Sequence, residues 1–436
     1  MSNKKGFLAL SPLFLLIGMI ALFTIYSADS SHKETNLSLT VAFMISSIFA
    51  VAISGGMPIK KRVDTYSRGA GANNLMLMLW IYVLAGAFAA SAKAMGSVDA
   101  TVNFTLSILP PTLILPGLFL ASCFISLSIG TSVGTIVALV PIATGLANTV
   151  DANLAMTVAS IVGGAYFGDN LSFISDTTVV ATQTQGCRMS DKFRANALIV
   201  VPAAIIILII YAILGADTQA PTQIGEIHYI KILPYFLVLV TAIAGMNVMA
   251  VLTLGTLLCG IIGIIGNMMG QESSYDLFGW FSAMGNGVIG MGELIIIAMM
   301  AGGMLEIIRE NGGINFIIDK ITAHVNSKRG AELSIAALVS LVNLCTANNT
   351  VAILTVGNIS KKIGDKFGVD NRKAASILDT FSCTVQGLIP YGVQMLLAAG
   401  LSSLAPLDII PYLFYPMAIG IAAFLAILFR YPKKYS

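Results

Sequence analysis

Long apolar runs separated by short polar and often basic segments pattern this chain of 436 residues. "FLALSPLFLLIGMIALFTIYS" (7–27), "IVVPAAIIILIIYAILGA" (199–216) and "YPMAIGIAAFLAILF" (415–429) approach or reach the ~20 residues with which a helix crosses a bilayer. The pattern predicts helices near 7–27, 37–54 and 74–92, then an excursion over 104–147 as two spans or a re-entrant hairpin. An interrupted segment over 153–185 and a span at 195–216 complete a first series. The second series reads 229–246, 248–268, 290–308, a leaving and returning stretch at 331–360, and segments at 373–400 and 411–430.

Composition agrees with that reading. The chain is 56% hydrophobic and 10% charged, with a mean hydropathy of +0.87, whereas soluble domains carry about a quarter charged residues. The expected fold class is an all-α polytopic membrane protein whose chief partner is the lipid bilayer. Lys4 and Lys5 precede the first run, but that run is longer than a signal-peptide core and no small-x-small cleavage site follows. It reads as the first transmembrane helix. The five cysteines form no metal or disulfide spacing, and a net charge of +3 makes no case for a nucleic-acid partner. No Walker-type phosphate loop, G-x-S-x-G elbow or H-E-x-x-H is present, so the sequence gives no enzyme and no cofactor.

The basic residues set the topology. Lys4/Lys5, Lys60–Arg62 with Arg68, Arg188/Lys192/Arg194, Arg309, Lys320/Lys328/Arg329, Lys361–Lys373 and Arg430–Lys434 hold 21 of the 24 Lys and Arg. Basic loops face the cytoplasm, which places both termini there and the chain in the cell (inner) membrane. Each series then has an odd number of crossings, so the second lies inverted with respect to the first. A shift of 216 residues lines up Gly69 and Gly71 with Gly285 and Gly287, Gly96 with Gly312, and "ASI" at 159–161 with "ASI" at 375–377. The expectation is two inverted-topology repeats, residues 1–216 and 217–436, the build of many secondary transporters.

Two pairs of polar stretches coincide at that shift. "SIGTSVGT" (128–135) and "LCTANNTV" (344–351) have the hydroxyls, amides and glycines of hairpin tips, with Thr131–Ser132 and Asn348–Asn349 at the turns. "GGAYFGDNLSFISDTT" (163–178) and "DTFSCTVQGLIPYG" (379–392) have the glycines and proline that unwind a helix. Unwound backbone at membrane depth survives only where protein or water covers it, and freed carbonyls suit Na⁺. An ionised Asp near the bilayer centre costs about 2.5–3.5 kcal/mol, so Asp169 and Asp176 need a partner, a proton or a cation. One carboxylate that holds either a proton or Na⁺, but not both, couples the two ions by competition. The bland readings stand beside this one. Asp169 and Asp176 also suit helix caps, Asn348 and Asn349 suit plain turns, and Ser175, Thr177 and Ser382 suit helix packing. Glu306, Arg309 and Glu310 have the spacing of a surface ion-pair cluster.

With these residues in view, the chain resembles the NhaC-type Na⁺/H⁺ antiporter family, most specifically at "GDNLSFISDTT" (168–178) and "ILDTFSCTVQGLIPYG" (377–392). The family pattern at the first motif reads roughly G-D-K-x-S-P-x-S-D-T-T. This chain keeps Gly168, Asp169, Ser172, Ser175, Asp176, Thr177 and Thr178, and departs at Asn170 and Phe173. The missing lysine removes a positive charge beside Asp169. The resemblance implies exchange of cytoplasmic Na⁺ for external H⁺ by alternating access, through re-entrant hairpins and discontinuous helices. Asp176, Ser175 and Thr177 are expected to form one half of the Na⁺ site, and Asp379, Ser382 and Gln386 the other, with Asp176 and Asp379 as the metal ligands. Thr131–Ser132 and Asn348–Asn349 are expected to close on it, and Asp169 to be the proton-coupled carboxylate. A Na⁺- or H⁺-coupled exchanger of an organic acid or amino acid is the alternative, and an ion channel a more distant one. Scaffolds of this type dimerise in many cases, so a homodimer is kept as an expected partner state, although no sequence face specifies it.

Overall fold

A computed structural model of the chain describes residues 3–28, 39–54, 56–219, 225–269, 275–323 and 325–435. Among them the structure is all helical. The first half runs α1 (Asn3–Ala28), α2 (Leu39–Ile53), α3 (Ile59–Ala70), α4 (Asn73–Ala94), α5 (Ser97–Ile108), α6 (Ile114–Ile129), α7 (Ser132–Thr149), α8 (Leu154–Leu171), α9 (Asp176–Gln185) and α10 (Met189–Leu214). The second runs α11 (Tyr229–Ile243), α12 (Val248–Met268), α13 (Leu277–Gly290), α14 (Gly292–Glu310), α15 (Gly313–Thr322), α16 (Lys328–Thr346), α17 (Asn349–Phe367), α18 (Asn371–Leu388), α19 (Val393–Ser402), α20 (Pro406–Ile409) and α21 (Phe414–Leu428). Eight helical runs among the described residues are long and apolar enough to cross a bilayer, and Pro406–Tyr412 with Phe414–Leu428, bent by 52°, makes a ninth. This is a polytopic membrane protein.

Each of the two stretches is interrupted, but the first not at its glycines: α8 runs unbroken through Gly163, Gly164 and Gly168, whose lack of a Cβ serves close packing instead. α8 stops at Leu171 and α9 restarts at Asp176, while α18 and α19 break over 389–392. The two hairpins turn at Gly130 (φ 74°) and at Ala347 (φ 49°), both left-handed. Four helices were missed because their apolar stretches are short. α3 is amphipathic and basic where the charges suggested a loop, α13 occupies a stretch without Lys or Arg, and α5 and α15 follow left-handed glycines, Gly96 and Gly312. The first hairpin is therefore 114–149, not 104–147. Residues 37–38, expected to start the second helix, lie outside the described residues.

Packing crosses the halves in two matched sets of contacts. α3 packs on α14 as α13 packs on α4, and α7 on α19 as α17 on α9. Glycines permit two of these crossings: a Cβ at Gly302 would come within 2.8 Å of the Gly69 carbonyl oxygen, and small residues let helix backbones approach in this way. The expected ion-pair cluster fastens the same crossing, with Arg68 reaching Glu306 (3.3 Å) and Glu310 (3.5 Å), and Arg309 reaching Glu306 (3.2 Å). The single shift of 216 is corrected. Gly96 and Gly312 obey it, but the Ser126 hydroxyl donates to Ala165 O as the Asn343 amide donates to Ser382 O. That later shift is 217, so the "ASI" match is one residue out of register.

α6 and α8 are held by the Ser122 and Ser126 hydroxyls, which donate to Ile161 O and Ala165 O at 2.6 Å each. Gly164 lies in that contact, and a Cβ there would sit 2.6 Å from Phe119 O and 2.9 Å from Cys123 N. Gly164→Ala should cost about 1–3 kcal/mol through overpacking. Gly18 of α1 has nothing within 4 Å, so Gly18→Ala should be neutral or stabilising by up to about 1 kcal/mol. Unfolding of the two variants in detergent micelles checks the contrast.

Candidate functional site

The two hairpin tips and the two broken helices meet at one cleft of about 260 Å³. Thr131 and Ser132 line it from one tip, and Asn348 and Asn349 from the other. Asp169, Ser175, Asp176 and Thr177 face it from the α8–α9 break, and Gln386 and Gln394 from the α18–α19 break. Nine of the residues expected from the sequence therefore converge here. A second cavity, also about 260 Å³, shares Asn74, Met78, Asn348, Val351 and Val393 with the first and extends to Glu306 and Arg309.

Asp169 is the buried acid of the cleft, only 5% exposed. The left-handed turn at Gly130 leaves Ser132 at the start of α7, where its N–H has no intrahelical acceptor. That N–H donates to Asp169 Oδ1 at 3.1 Å, and the Ser132 hydroxyl donates to Oδ2 at 2.6 Å. Gln394 donates to the Ser132 hydroxyl oxygen at 3.1 Å, and Gln386 donates to Gln394 Oε1 at 3.1 Å. A polar chain thus runs from Asp169 to the break of the other half. Among the described residues no Lys or Arg forms an ion pair with Asp169. Gln386 Oε1 is buried and has no hydrogen-bond partner among the described residues.

Asp176 is exposed on the cleft wall, in the first turn of α9, where a negative charge suits the helix N-terminus. Ser175 and Thr177 are buried with their hydroxyls 3.0 Å apart. Asn348 does what its plain reading said: its side-chain oxygen accepts the Val351 N–H at 3.0 Å and caps α17. Asn349 is buried, accepts the Thr350 N–H at 3.0 Å, and still faces the cleft.

Three expected site groups are engaged elsewhere, for one physical reason. Asp379 does not line the cleft. It is fully buried and ion-paired with Lys192, itself fully buried in α10, and so sits apart from Asp176. Ser382 is also off the cleft, its hydroxyl donating to Asp379 O at 3.0 Å within its own helix. The carbonyls freed at the end of α8 are taken. Thr177 and Thr178 donate to Asp169 O at 3.3 and 3.5 Å, and Lys192 and Asn196 donate to Asn170 O at 2.6 and 3.0 Å. A buried ion or carbonyl without a partner is costly, and the fold supplies partners from α9 and α10. Lys192 therefore does not belong to a basic cytoplasmic loop. Lys373 is likewise buried, 3.1 Å from the buried Glu332.

Sequence reasoning missed Gln394, Asn74, Lys192 and Asn196. The corrected shift of 217 was the available signal for the first, since it pairs Gln394 with Thr177 and Gln386 with Asp169. Lys192 and Asn196 had none, because each acts on another element.

With this geometry in place, the comparisons with known proteins are specific. A family model described as the Na⁺/H⁺ antiporter family matches residues 7–216 and again 217–433. The chain is similar to the Na⁺/H⁺ antiporter NhaC of Alkalihalophilus pseudofirmus, with 24% identity over 96% of this chain and 94% of that one. It is 26% identical to NhaC of Bacillus subtilis over 92% and 93% of the two chains. A malate-2H⁺/Na⁺-lactate antiporter of Bacillus subtilis is 22% identical over 97% and 93%.

Proposed function

The chain belongs to the Na⁺/H⁺ antiporter family of secondary transporters, and we propose that it exchanges cytoplasmic Na⁺ for external H⁺ at Asp169. The observation that carries this reading is the isolation of that carboxylate. Asp379 is ion-paired with a buried lysine and Asp176 is exposed, whereas Asp169 is buried, faces the cleft and, among the described residues, has its carboxylate held by Ser132 alone. Its occupants are then a proton or a cation, and the two compete. Thr131, Ser175, Thr177, Gln386 and Gln394 offer the further oxygens that Na⁺ needs. We read residues 1–216 and 217–436 as inverted repeats, with both termini cytoplasmic, in the cell membrane. The swapped packing of α3 on α14 and α13 on α4 supports that division. Alternating access then consists of the hairpin tips shifting against the broken helices of the opposite half.

A second reading, exchange of a small organic acid with Na⁺ or H⁺, is favoured by the size of the space. Two contiguous cavities of about 260 Å³ each are far larger than an ion requires, and one relative's name joins malate and lactate to Na⁺ and H⁺. Sealed liposomes with a trapped pH dye and an imposed proton gradient separate the readings. Na⁺ alone should collapse the gradient, with Li⁺ and K⁺ giving the selectivity. Collapse that requires malate or lactate establishes the second reading. Ion flux that only follows its own gradient, with no counter-ion driven uphill, makes the chain a channel.

A further inference from the structure

We infer that Lys192 is a tethered cation. Its ammonium fills, from within the chain, a cation site built by Asp379, Asn170 and Thr178, and the transported ion does not occupy that site. The inference uses the reading of Na⁺ as cargo only to choose the probe.

The geometry is that of a complete coordination shell. An ammonium has three N–H donors. Here one pairs with Asp379 Oδ2, one reaches Asn170 O at 2.6 Å, and one reaches Thr178 Oγ1 at 2.8 Å. A carboxylate, a carbonyl and a hydroxyl make the oxygen set that hard cations take. Lys192 and Asp379 are both fully shielded from solvent. Asn170 O is one of the carbonyls that the end of α8 leaves without a helical partner, and such an end carries partial negative charge. Two negative features, one from each half, thus converge on one point where the chain supplies the positive charge.

Neighbouring groups hold the shell rather than compete for it. Asn196 donates to both Asn170 O (3.0 Å) and Asp379 Oδ2 (3.1 Å), and its own oxygen accepts the Ser376 hydroxyl. Cys383 Sγ lies 3.8 Å from the other Asp379 oxygen. The consequence is numerical. With Asp379 neutralised on the chain and off the cleft, Asp169 is the one buried carboxylate that lines the cleft among the described residues, beside the exposed Asp176.

The test counts bound ions. Purified full-length chain in detergent micelles is dialysed to equilibrium against radioactive Na⁺ at saturation. Lys192→Ala should bind one more Na⁺ per chain than the native protein, or one methylammonium when that probe replaces Na⁺. Adding Asp379→Asn to Lys192→Ala should remove the extra ion. An unchanged count in a Lys192→Ala chain with native circular dichroism and a monodisperse profile overturns the inference. Should Lys192→Ala alone fail to fold, the neutral pair Lys192→Met with Asp379→Leu decides. Retention of the native count supports the tethered cation, and loss of one ion makes Asp379 a ligand of the cargo and overturns it. A native chain that binds no Na⁺ sinks the antiport reading, yet the gain of one ion in Lys192→Ala stands or falls separately.

Discussion

Asp169→Asn abolishes Na⁺-driven proton exchange in proteoliposomes, with a loss of about a hundredfold or more. Each tenfold in rate corresponds to about 1.4 kcal/mol, and this variant removes the buried carboxylate at which the two ions are proposed to compete. The substitution keeps size and shape. Its amide oxygen can still accept the Ser132 N–H that now reaches Oδ1 at 3.1 Å, and its NH₂ can donate to the Ser132 hydroxyl. Folding should therefore change by no more than about the 1 kcal/mol that a rearranged hydrogen bond costs. An asparagine cannot release or take up the proton, nor neutralise Na⁺. Asp176→Asn is the informative companion. Asp176 is exposed on the same cleft, so its charge is screened and its loss should raise the Na⁺ concentration for half-maximal exchange while leaving the maximal rate nearly intact. Equal, complete losses in both variants would sink Asp169 as the sole coupling acid. Full exchange in Asp169→Asn would remove it from the mechanism.

Asp379→Leu destabilises the protein by about 3–5 kcal/mol, the usual cost of stranding one member of a buried ion pair. Lys192 would keep Asn170 O and Thr178 as partners but would hold an uncompensated charge with no access to water. Combining Lys192→Met with Asp379→Leu should recover most of that loss, since replacing both members by apolar groups of similar volume is often neutral. A double-mutant cycle on unfolding in micelles reads the coupling. Additive losses would mean that the pair is not a unit. A mild loss from Asp379→Leu alone would mean that water or lipid headgroups reach Lys192.

The span pattern was readable because the bilayer imposes it. An apolar run of about 20 residues has one low-energy fate in lipid, and α4, α10, α12 and α14 follow from that alone. The breaks were readable too. Gly130 and the stretch at 389–392 are local backbone signals, and each interrupts a helix where it stands, whereas the break at 172–175 falls after the glycines at 163, 164 and 168 that were expected to make it. The short helices α3, α5, α13 and α15 were not, since an amphipathic or brief apolar segment is stable only through what it packs against, as α3 is through α14.

The candidate site divides the same way. Thr131, Ser132, Asp169, Asp176, Asn348, Asn349 and Gln386 were legible as polar side chains at interruptions, where covered and wetted backbone must lie. Their division of labour was not. Sequence presents Asp169, Asp176 and Asp379 as three equivalent acids, and it counts Lys192 with a basic loop. The difference among them comes from neighbours far away in the chain: Gln394 meets Ser132 across 262 residues, and Asn196 meets Asp379 across 183. By itself the sequence determined where the chain crosses the membrane, where it breaks and which residues gather at the breaks, because those depend on local hydropathy and backbone freedom. Only the tertiary structure decided which carboxylate is neutralised and which faces the cleft, because a buried charge takes its role from the partner that packing places beside it.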